Sequence, residues 1–414
     1  MSTGELESVE AFGQRAAGWI EANLPPREAP PVEAVELQRL LFDSGFAGIA
    51  FPTEYGGAGL TLDHHKAFYD VASELGRQIP FDSNLMVSVG MLGPTILEHG
   101  SHEARLRFLP PLLRGDELWM QLLSEPQGGS DMAGSIARLT CEGDSFALSG
   151  EKVWSSGAHL CDYGLCLCRS DWDRPKHRGL SMIAVPLEDT PGVTIERIRA
   201  ADGTLGEFCQ EYFDDVKLPA ENLIGEVNDG WAVAKALLFH ERNAVANIGY
   251  GYFGPHEAAA DEHESASRVP GMIRAVRGRA GVGSEMRQLI AEVHIEETVL
   301  PLTSDRVMTG MRLGTHEGQW GSLLKLQGSV AGIDCARTEL AATGAAGVIW
   351  EGDEIRLDNP GTRWLGARGN TLAGGSSEMQ RNIISERLLG LPREPSSERG
   401  MPFNEVVRQQ RTFK

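Results

Sequence analysis

The order of helical and β-type patterns along the chain is the feature that most constrains its fold. Residues 1 to about 118 carry helical periodicity, as in "LDHHKAFYDVASELGR", and long amphipathic helices return from "NDGWAVAKALLFHERNAVANIGYG" onward. Between them, at about 119 to 228, the apolar runs are short and turn residues are dense, and "EGDS" predicts a hairpin turn. Because strands and helices do not alternate, this order argues against a doubly wound parallel sheet.

We therefore predict an α+β chain with three domains: a helical domain at 1–118, a β domain at 119–228 and a second helical domain at 229–414. A chain of 414 residues is long enough for two or three domains with their own cores. The stretch 257–284 has the least regular pattern, and we interpret it as a connection between helices.

Composition limits the classes of partner. The formal net charge of −20 and the pI near 5.0 argue against nucleic acid or an anionic membrane as the main partner. The start of the chain lacks the pattern of a signal peptide, and no run approaches the length of a membrane-spanning helix. Six cysteines in a chain of this length are typical of reduced thiols, so we expect a cytoplasmic protein.

We predict no metal site and no dinucleotide-binding motif. His64, His65, His240 and His256 lack a ligand spacing, and we interpret them as solvated or helix-capping side chains. The stretch "GYGYFG" has the spacing of a dinucleotide-binding motif, but it follows a long helix and not a strand. We therefore attribute this match to chance.

Two segments of the β region together favour a site for a planar ring. In "MQLLSEPQGGSDMAGS", Gly128 and Gly129 lack the Cβ that would hold the backbone away from a ligand. About 20 residues later, "GEKVWSSGAH" places Trp154 beside Ser155 and Ser156. An aromatic wall next to small hydroxyl groups suits a planar heterocycle.

A third segment, "TLAGGSSEMQRNIISERLLGLP", places Gly374 and Gly375 directly before a helix. The N-terminus of a helix offers free N–H groups and the positive end of the helix dipole to a polar ligand. Ser377 and Gln380 have the spacing of a capping box, so we expect this pair to begin the helix.

Four segments, in this order, resemble the acyl-CoA dehydrogenases: "FAGIAFPTEYGGAGL", "LLSEPQGGSD", "EKVWSSGAH" and "GGSSEMQRNIISERLLGLP". The resemblance covers the whole chain and implies a helical N-terminal domain, a β-barrel-like middle domain and a C-terminal four-helix bundle. It also implies FAD as cofactor, bound non-covalently. By this resemblance Ser130 would contact both the flavin and the acyl-CoA, and the other residues beside the flavin ring would be Leu123, Ser124, Trp154, Ser156, Ser376 and Glu378.

The chain departs from the family at the position that precedes the glycine of the C-terminal signature. Many members carry a catalytic glutamate there, whereas this chain has Gly374, preceded by Ala373 where a bulkier aromatic residue often stands. A glycine cannot accept a proton, but the resemblance implies that its backbone N–H binds the thioester carbonyl. The small volume of Ala373 and Gly374 predicts a substrate pocket that accepts bulky, branched or ring-bearing acyl groups.

A base must then come from elsewhere, and we predict Glu241. In "GWAVAKALLFHERNAVANIG" this residue lies on an apolar stripe whose spacing predicts a core-facing side, formed by Trp231, Ala234, Leu238, Val245 and Ile248. A carboxylate on such a stripe either forms a salt bridge to another helix or has a task. The isovaleryl and long-chain types of acyl-CoA dehydrogenase place their base on this helix in a similar "ER" context, which favours Glu241 as base and Arg242 as a residue that binds the substrate.

The resemblance implies an oxidoreductase of fatty acid and lipid metabolism, with an electron-transfer flavoprotein as electron acceptor and a homotetramer or a heterotetramer with a paralogue as assembly. Two alternatives stay open. One is a flavin monooxygenase or nitroalkane-oxidase-like enzyme on the same fold. The other is a non-catalytic subunit of a heterotetramer, favoured by Gly374 and by the absence of a clear R-x-x-F-G stretch near 270 to 280.

Overall fold

Helices fill the first part of the chain, as predicted. This computed structural model describes residues 6–201, 203–245, 247–254, 267–279, 282–349 and 359–412. A π-helical turn at Ser88–Leu92 links the fourth helix to the fifth. The helices are α1 (Val9–Asn23), α2 (Ala34–Asp43), α3 (Leu62–Glu74), α4 (Ser83–Val87), α5 (Gly93–His99) and α6 (His102–Arg114). Polar caps mark where they begin: the side chain of Ser8 accepts from the N–H of Ala11, and that of Ser101 from the N–H of Ala104.

Strands occupy the middle of the chain and form one eight-stranded sheet. They are β1 (Trp119–Leu122), β2 (Arg138–Glu142), β3 (Ser145–Ser156), β4 (Tyr163–Arg169), β5 (Leu180–Pro186), β6 (Val193–Arg199), β7 (Leu205–Pro219) and β8 (Leu223–Ile224). Seven of them run in the spatial order β6-β7-β3-β2-β4-β5-β8, and β1 pairs with β4 in parallel. The predicted "EGDS" turn is confirmed, because Glu142 pairs with Ser145 between β2 and β3.

The chain divides into two units, of which the first comprises Met1–Ile198, Gly206–His256 and Glu398–Lys414. It includes the next helix, α7 (Gly230–Val245), whose buried side chains share one apolar core with α6 and the sheet. Apolar burial of this kind is the main stabilising term of such a unit.

The second unit comprises Arg199–Leu205 and Glu257–Ser397. Its helices are α8 (Val269–Val276), α9 (Ser284–Arg312), α10 (Gly321–Thr343), α11 (Pro360–Ala367) and α12 (Ser377–Ile383), and α10 contacts all the others. The stretch interpreted as a connection contains α8, while residues 257–266, 280 and 281 lie outside the described residues.

The last helix, α13 (Phe403–Thr412), returns to the first unit. The N–H groups of Phe403 and Asn404 donate to the carbonyls of Arg174 and Trp172, at 3.0 and 2.9 Å. The ring of Phe403 lies 3.9 Å from the guanidinium carbon of the buried Arg169, so this segment completes the core of the unit. In the described part of the chain, no helix is both long and apolar enough to cross a bilayer.

Candidate active site

The loop after β1 is anchored by a buried ion pair. Glu125 and Lys152 are 3% and 0% exposed, and Nζ of Lys152 lies 2.7 Å from Oε1 of Glu125. The N–H groups of Ile136 and Ala137 also donate to this carboxylate, at 2.8 and 3.0 Å. Burial alone would raise the pKa of Glu125, but the charge of Lys152 and the donated hydrogen bonds outweigh it and lower the pKa. Glu125 is therefore ionised at neutral pH.

This anchor fixes the two segments predicted to line the flavin. Lys152 donates to the carbonyl of Leu123 at 3.2 Å, and the N–H of Val153 donates to the carbonyl of Ser124 at 3.0 Å. Leu123 is buried and Ser124 is half-buried at the edge of the loop. The structure thus brings the first flavin segment and the strand that carries Trp154 side by side.

Trp154 adopts a backbone conformation that side chains rarely take. Its φ is +70°, at a β-bulge where Val153 pairs with Gln210 and Ser155 with Cys209, so that Trp154 is the extra residue. A left-handed residue other than glycine costs roughly 1–2 kcal/mol. The indole is 58% exposed and meets the ring of Phe208 edge to face, with centroids 6.0 Å apart. An exposed aromatic face at a strained position is typical of a binding wall.

The glycines of the loop have no role in the packing of the chain itself. Neither Gly128 nor Gly129 has a positive φ, and a Cβ on either would make only ordinary contacts, at 3.4 Å to the carbonyl oxygen of Asp131 and at 4.0 Å to Oγ of Ser124. The exposed Ser130 follows them. Because nothing in the fold requires glycine here, the missing side chains leave the surface beside Ser124 open to close approach. The loop and the exposed indole therefore fit a planar cofactor.

Glu241 lies beside the same loop. Nε2 of Gln121, on β1, donates to Oε2 of Glu241 at 3.3 Å, and Gln121 comes two residues before Leu123. The first unit therefore joins the predicted base, through one hydrogen bond, to the strand that leads into the first flavin segment. Arg242, the next residue, is exposed.

The apolar face predicted for α7 was wrong by about one position. Val245 is 74% exposed and Ile248, beyond the helix, 37%, whereas the buried stripe runs through Val233, Ala234, Leu237, His240 and Ala244. Glu241 is half-buried and borders this stripe. Core burial therefore does not support Glu241 as the base. The support comes instead from the hydrogen bond that Gln121 donates to Glu241.

The second unit holds the glycine turn and its helix. Gly374 and Gly375 have φ values of +62° and +87°, and Nε2 of Gln380 donates to both of their carbonyls, at 3.2 and 3.1 Å. The predicted capping box of Ser377 and Gln380 was wrong: the N-cap is Ser376, whose Oγ accepts from the N–H of Met379 at 3.2 Å. The two glycines are therefore needed for left-handed backbone, which glycine adopts without steric cost.

The remaining predicted site residues of this unit are exposed. Ala373 lies at the surface of the turn, and its N–H donates to the carbonyl of Gly369 at 2.9 Å. Glu378 forms an exposed ion pair with Arg381, at 3.6 Å. The predicted residues thus fall into two sets. Leu123, Ser124, Ser130, Trp154, Ser156, Glu241 and Arg242 belong to the first unit, and Ala373, Gly374, Ser376 and Glu378 belong to the second.

The histidines were only partly understood from the sequence. His64 caps α3 through Thr61, as expected of a capping residue, at 2.7 Å between Nδ1 and Oγ1. His65 and His240 are buried, not solvated, while His256 lies outside the described residues. Among the side chains that the structure describes, no three His, Cys, Asp or Glu groups are placed to hold a metal ion.

The middle glycine of "GYGYFG", Gly251, has a packing role. Gly249–Gly251 form a 3₁₀ turn after α7, and a Cβ on Gly251 would collide with the backbone of Ala244. A Cβ on Gly90 would in turn lie 3.0 Å from Cα of Gly251. The pattern therefore marks a close approach of two segments.

Comparison with known proteins agrees with this arrangement. Family models match the chain at residues 7–116 ("Acyl-CoA dehydrogenase, N-terminal domain"), 121–216 ("middle domain") and 228–389 ("C-terminal domain"). Acyl-CoA dehydrogenase IpdE1 of Mycobacterium tuberculosis is 32% identical, over 94% of this chain and 99% of that protein. Cyclohexane-1-carbonyl-CoA dehydrogenase of Syntrophus aciditrophicus is 29% identical, over 56% of this chain and 59% of that protein.

Solved structures share the fold. The structure named "Tcur3481-Tcur3483 steroid ACAD" has a TM-score of 0.65 and 25% identity, over 95% of this chain and 100% of that chain. The predicted fold class, α+β with helical, β and helical parts in this order, is confirmed. The chain belongs to the acyl-CoA dehydrogenase family, and is therefore an oxidoreductase with FAD as its cofactor.

Proposed function

We propose that this chain oxidises an acyl-CoA thioester to the trans-2-enoyl-CoA, with Glu241 as the base that removes the α-proton. The hydrogen bond from Gln121 to Glu241 carries this proposal, because it fixes a half-buried carboxylate beside the loop that fits the flavin ring. A base is effective when it is held within hydrogen-bond reach of the proton that it removes.

Each group of the chain has a definable part in this reaction. Glu241 accepts the α-proton, and the N–H of Gly374 donates to the thioester carbonyl, which stabilises the negative charge that develops on its oxygen. FAD, when bound, supplies the acceptor for the β-hydride. Leu123, Ser124, Trp154, Ser156, Ser376 and Glu378 would hold its ring, and Ser130 and Arg242 would orient the thioester. Placing the acyl chain between base and ring lowers the entropic part of the barrier.

The substrate that we propose is bulky or ring-bearing. A Cβ at Gly374 would have only the Lys325 side chain near it, at 3.7 Å, and Ala373 is small and exposed, so this turn leaves space. Two relatives are named for a steroid and for a cyclohexane-1-carbonyl group, which supports the same class. Ala373→Tyr should then impair bulky thioesters more than butyryl-CoA. Equal losses across such a panel would contradict the proposal.

Glu241→Gln is the decisive test of the base. The variant keeps the shape of the side chain, so FAD and acyl-CoA should still bind, while anaerobic bleaching of the flavin slows on the order of a hundredfold or more. Glu98→Gln is a matched control, since Glu98 also contacts α7, through His240 at 2.9 Å, and lies outside the predicted site. A wild-type rate in Glu241→Gln would refute the assignment.

FAD uptake and flavin bleaching also separate the alternative functions. We propose an electron-transfer flavoprotein as the acceptor and a homotetramer or a heterotetramer with a paralogue as the assembly. A purified chain that takes up FAD and is bleached by acyl-CoA is catalytic, whereas a colourless, folded chain supports the non-catalytic subunit. A flavin that binds but resists every acyl-CoA supports the oxidase or monooxygenase reading.

A further inference from the structure

A buried polar pair lies directly behind the Trp154 bulge. Ser155 and Glu211 are 6% and 0% exposed, and Oγ of Ser155 donates to Oε1 of Glu211. Oε2 of Glu211 is also buried, and it has no hydrogen-bond partner among the described residues. A buried carboxyl group with one oxygen unsatisfied costs free energy that an apolar pair of similar size would not cost. Packing therefore does not explain why these two residues are here.

The neighbouring lysine does not serve as the counter-charge. Lys152 is the cross-strand partner of Glu211 in the pairing of β3 with β7, yet it directs its ammonium group at Glu125, Ser135 and the carbonyl of Leu123. Since Lys152 already neutralises Glu125, an ionised Glu211 would be an additional buried charge. Burial accordingly raises the pKa of Glu211 to about 7, against the opposing effects of the Ser155 hydrogen bond and of Lys152.

Two buried polar anchors, the Glu125–Lys152 pair and the Ser155–Glu211 pair, lie on either side of one strained residue, Trp154. Lys152, two positions before Trp154, is held in the buried cluster with Glu125, and Ser155, the position after it, is held by Glu211. A left-handed conformation persists in a large residue only when its surroundings fix it. Each anchor fixes the backbone on one side of Trp154, so the strand cannot relax there to ordinary extended backbone.

We propose that Ser155 and Glu211 are positioning residues, which hold the Trp154 bulge in place and so keep the indole presented to the flavin ring. This inference rests on the proposed role of Trp154 as part of the flavin site. Neither residue is a catalytic residue, since both act through the bulge.

Ser155→Ala tests the anchor, with FAD affinity as the readout. Loss of one hydrogen bond of ordinary strength should weaken FAD binding by about fivefold. Ser149→Ala is the matched control: its hydroxyl accepts from the N–H of Asp215 at 3.2 Å, at the other bulge of the same strand pair. The control removes a more exposed hydrogen bond, so it should lose less thermal stability than Ser155→Ala, and it should keep the FAD affinity of the wild type.

The pH dependence of the flavin reduction potential separates positioning from mere stability. An ionised Glu211 would place negative charge behind the ring wall and disfavour reduction, so the potential should fall more steeply through pH 7 in the wild type than in Glu211→Gln. Glu211→Gln keeps the shape and an acceptor for Ser155, and serves as second variant if Ser155→Ala does not fold. The other titratable groups facing Glu211 are Lys152 on β3, Cys161 before β4 and Cys209 on its own strand.

The outcomes are distinct. Weaker FAD binding in Ser155→Ala but not in Ser149→Ala, and parallel loss of the steep pH profile in Glu211→Gln, would support the inference. If the wild type binds FAD but Ser155→Ala keeps the same affinity, or Glu211→Gln keeps the same pH profile, the positioning inference is overturned while the proposed function stands. A folded wild type that takes up no FAD would overturn the proposed function as well.

Discussion

Two bulges interrupt the pairing of β3 with β7, and they are built in different ways. At the first, between Leu148 and Gly150, the unusual backbone falls on Gly150 (φ +140°) and Asp215 (φ +53°). A Cβ on Gly150 would lie 2.7 Å from Cα of Ala137, so the fold itself requires glycine there. At the second, the left-handed residue is Trp154.

The difference supports the proposal that the first bulge serves the architecture and the second a binding site. The first bulge places its unusual backbone on a glycine, which has no steric penalty there, and on Asp215, whose short polar side chain tolerates left-handed backbone better than a large one does. The second keeps a large side chain in a conformation that costs free energy, and supports it with two buried polar anchors. Strain that a simpler residue would relieve is expected where the side chain itself is needed.

The largest effect is expected from the lysines near the two bulges. Lys152→Met leaves the carboxylate of Glu125 buried without its cation and should lower the free energy of unfolding by about 3–5 kcal/mol. Lys217→Met, its counterpart by the first bulge, removes exposed ion pairs to Glu142 and Asp215 (2.9 and 3.0 Å), which water and salt screen, so its loss of stability should be far smaller. Urea unfolding of the apoprotein measures both. Similar losses would contradict the comparison.

Gly150→Ala should be the most damaging small change at the first bulge. The new methyl group would press on the backbone of Ala137 and the residue would be strained, which we expect to cost about 3 kcal/mol. FAD affinity in the fraction that folds should fall less than in Trp154→Gly, because the methyl group acts on the proposed site only through Ala137, whose N–H donates to Glu125. Urea unfolding and an FAD titration give the two values. A variant with full stability and weakened FAD binding would reverse the roles of the two bulges.

The stability of the second bulge should depend on pH through Glu211. Because its folded-state pKa is raised to about 7, the folded protein keeps a proton that the unfolded chain releases above about pH 4.5. The stabilising contribution of protonated Glu211 to the free energy of unfolding is thus fully present below the pKa of the unfolded chain. It is lost as pH rises toward the folded-state pKa, by about 1 kcal/mol between pH 6 and 7. Unfolding curves of wild type and Glu211→Gln should converge toward acidic pH. Parallel curves would show that Glu211 does not titrate in this range.

Trp154→Gly gives the smallest expected change in stability and the sharpest contrast. Glycine relieves the left-handed strain but adds backbone entropy to the unfolded chain and removes the contact with Phe208, so stability should rise by only about 0.5 kcal/mol. FAD affinity should fall about tenfold. Trp154→Phe, which keeps an aromatic face, should retain most of the affinity. A destabilised Trp154→Gly variant with normal FAD binding would assign the indole to architecture.

The sequence predicted the order of the parts, but it gave no sign of the buried polar residues around the proposed site. Trp154 was predicted as a site residue because an aromatic residue beside small hydroxyls is a local pattern. Lys152 and Glu211 were missed, since each bulge shifts the alternation of the strand and a charged residue there looks solvent-facing. Their partners Glu125 and Ser155 come from other segments, which local spacing does not reveal.

Helix faces and caps showed a related limit. The apolar residues of α7 fit two neighbouring stripes, and only tertiary packing selects the one through Leu237 and His240. Ser376 and Ser377 are equally good caps by type, and the left-handed glycines before them decide for Ser376. The bond from Gln121 to Glu241 spans 120 positions and has no local signal.

The return of α13 to the first unit has a consequence for synthesis on the ribosome. Phe403 and Asn404, which bind the backbone at Arg174 and Trp172, are made only after residues 257–397 of the second unit. Domains tend to fold in the order in which they emerge. During synthesis, the first unit therefore lacks the contacts of α13, and the surface around Arg169 stays uncovered until the second unit has been translated. A nascent chain stalled before residue 398 should be more sensitive to protease near residues 170–178 than the released protein.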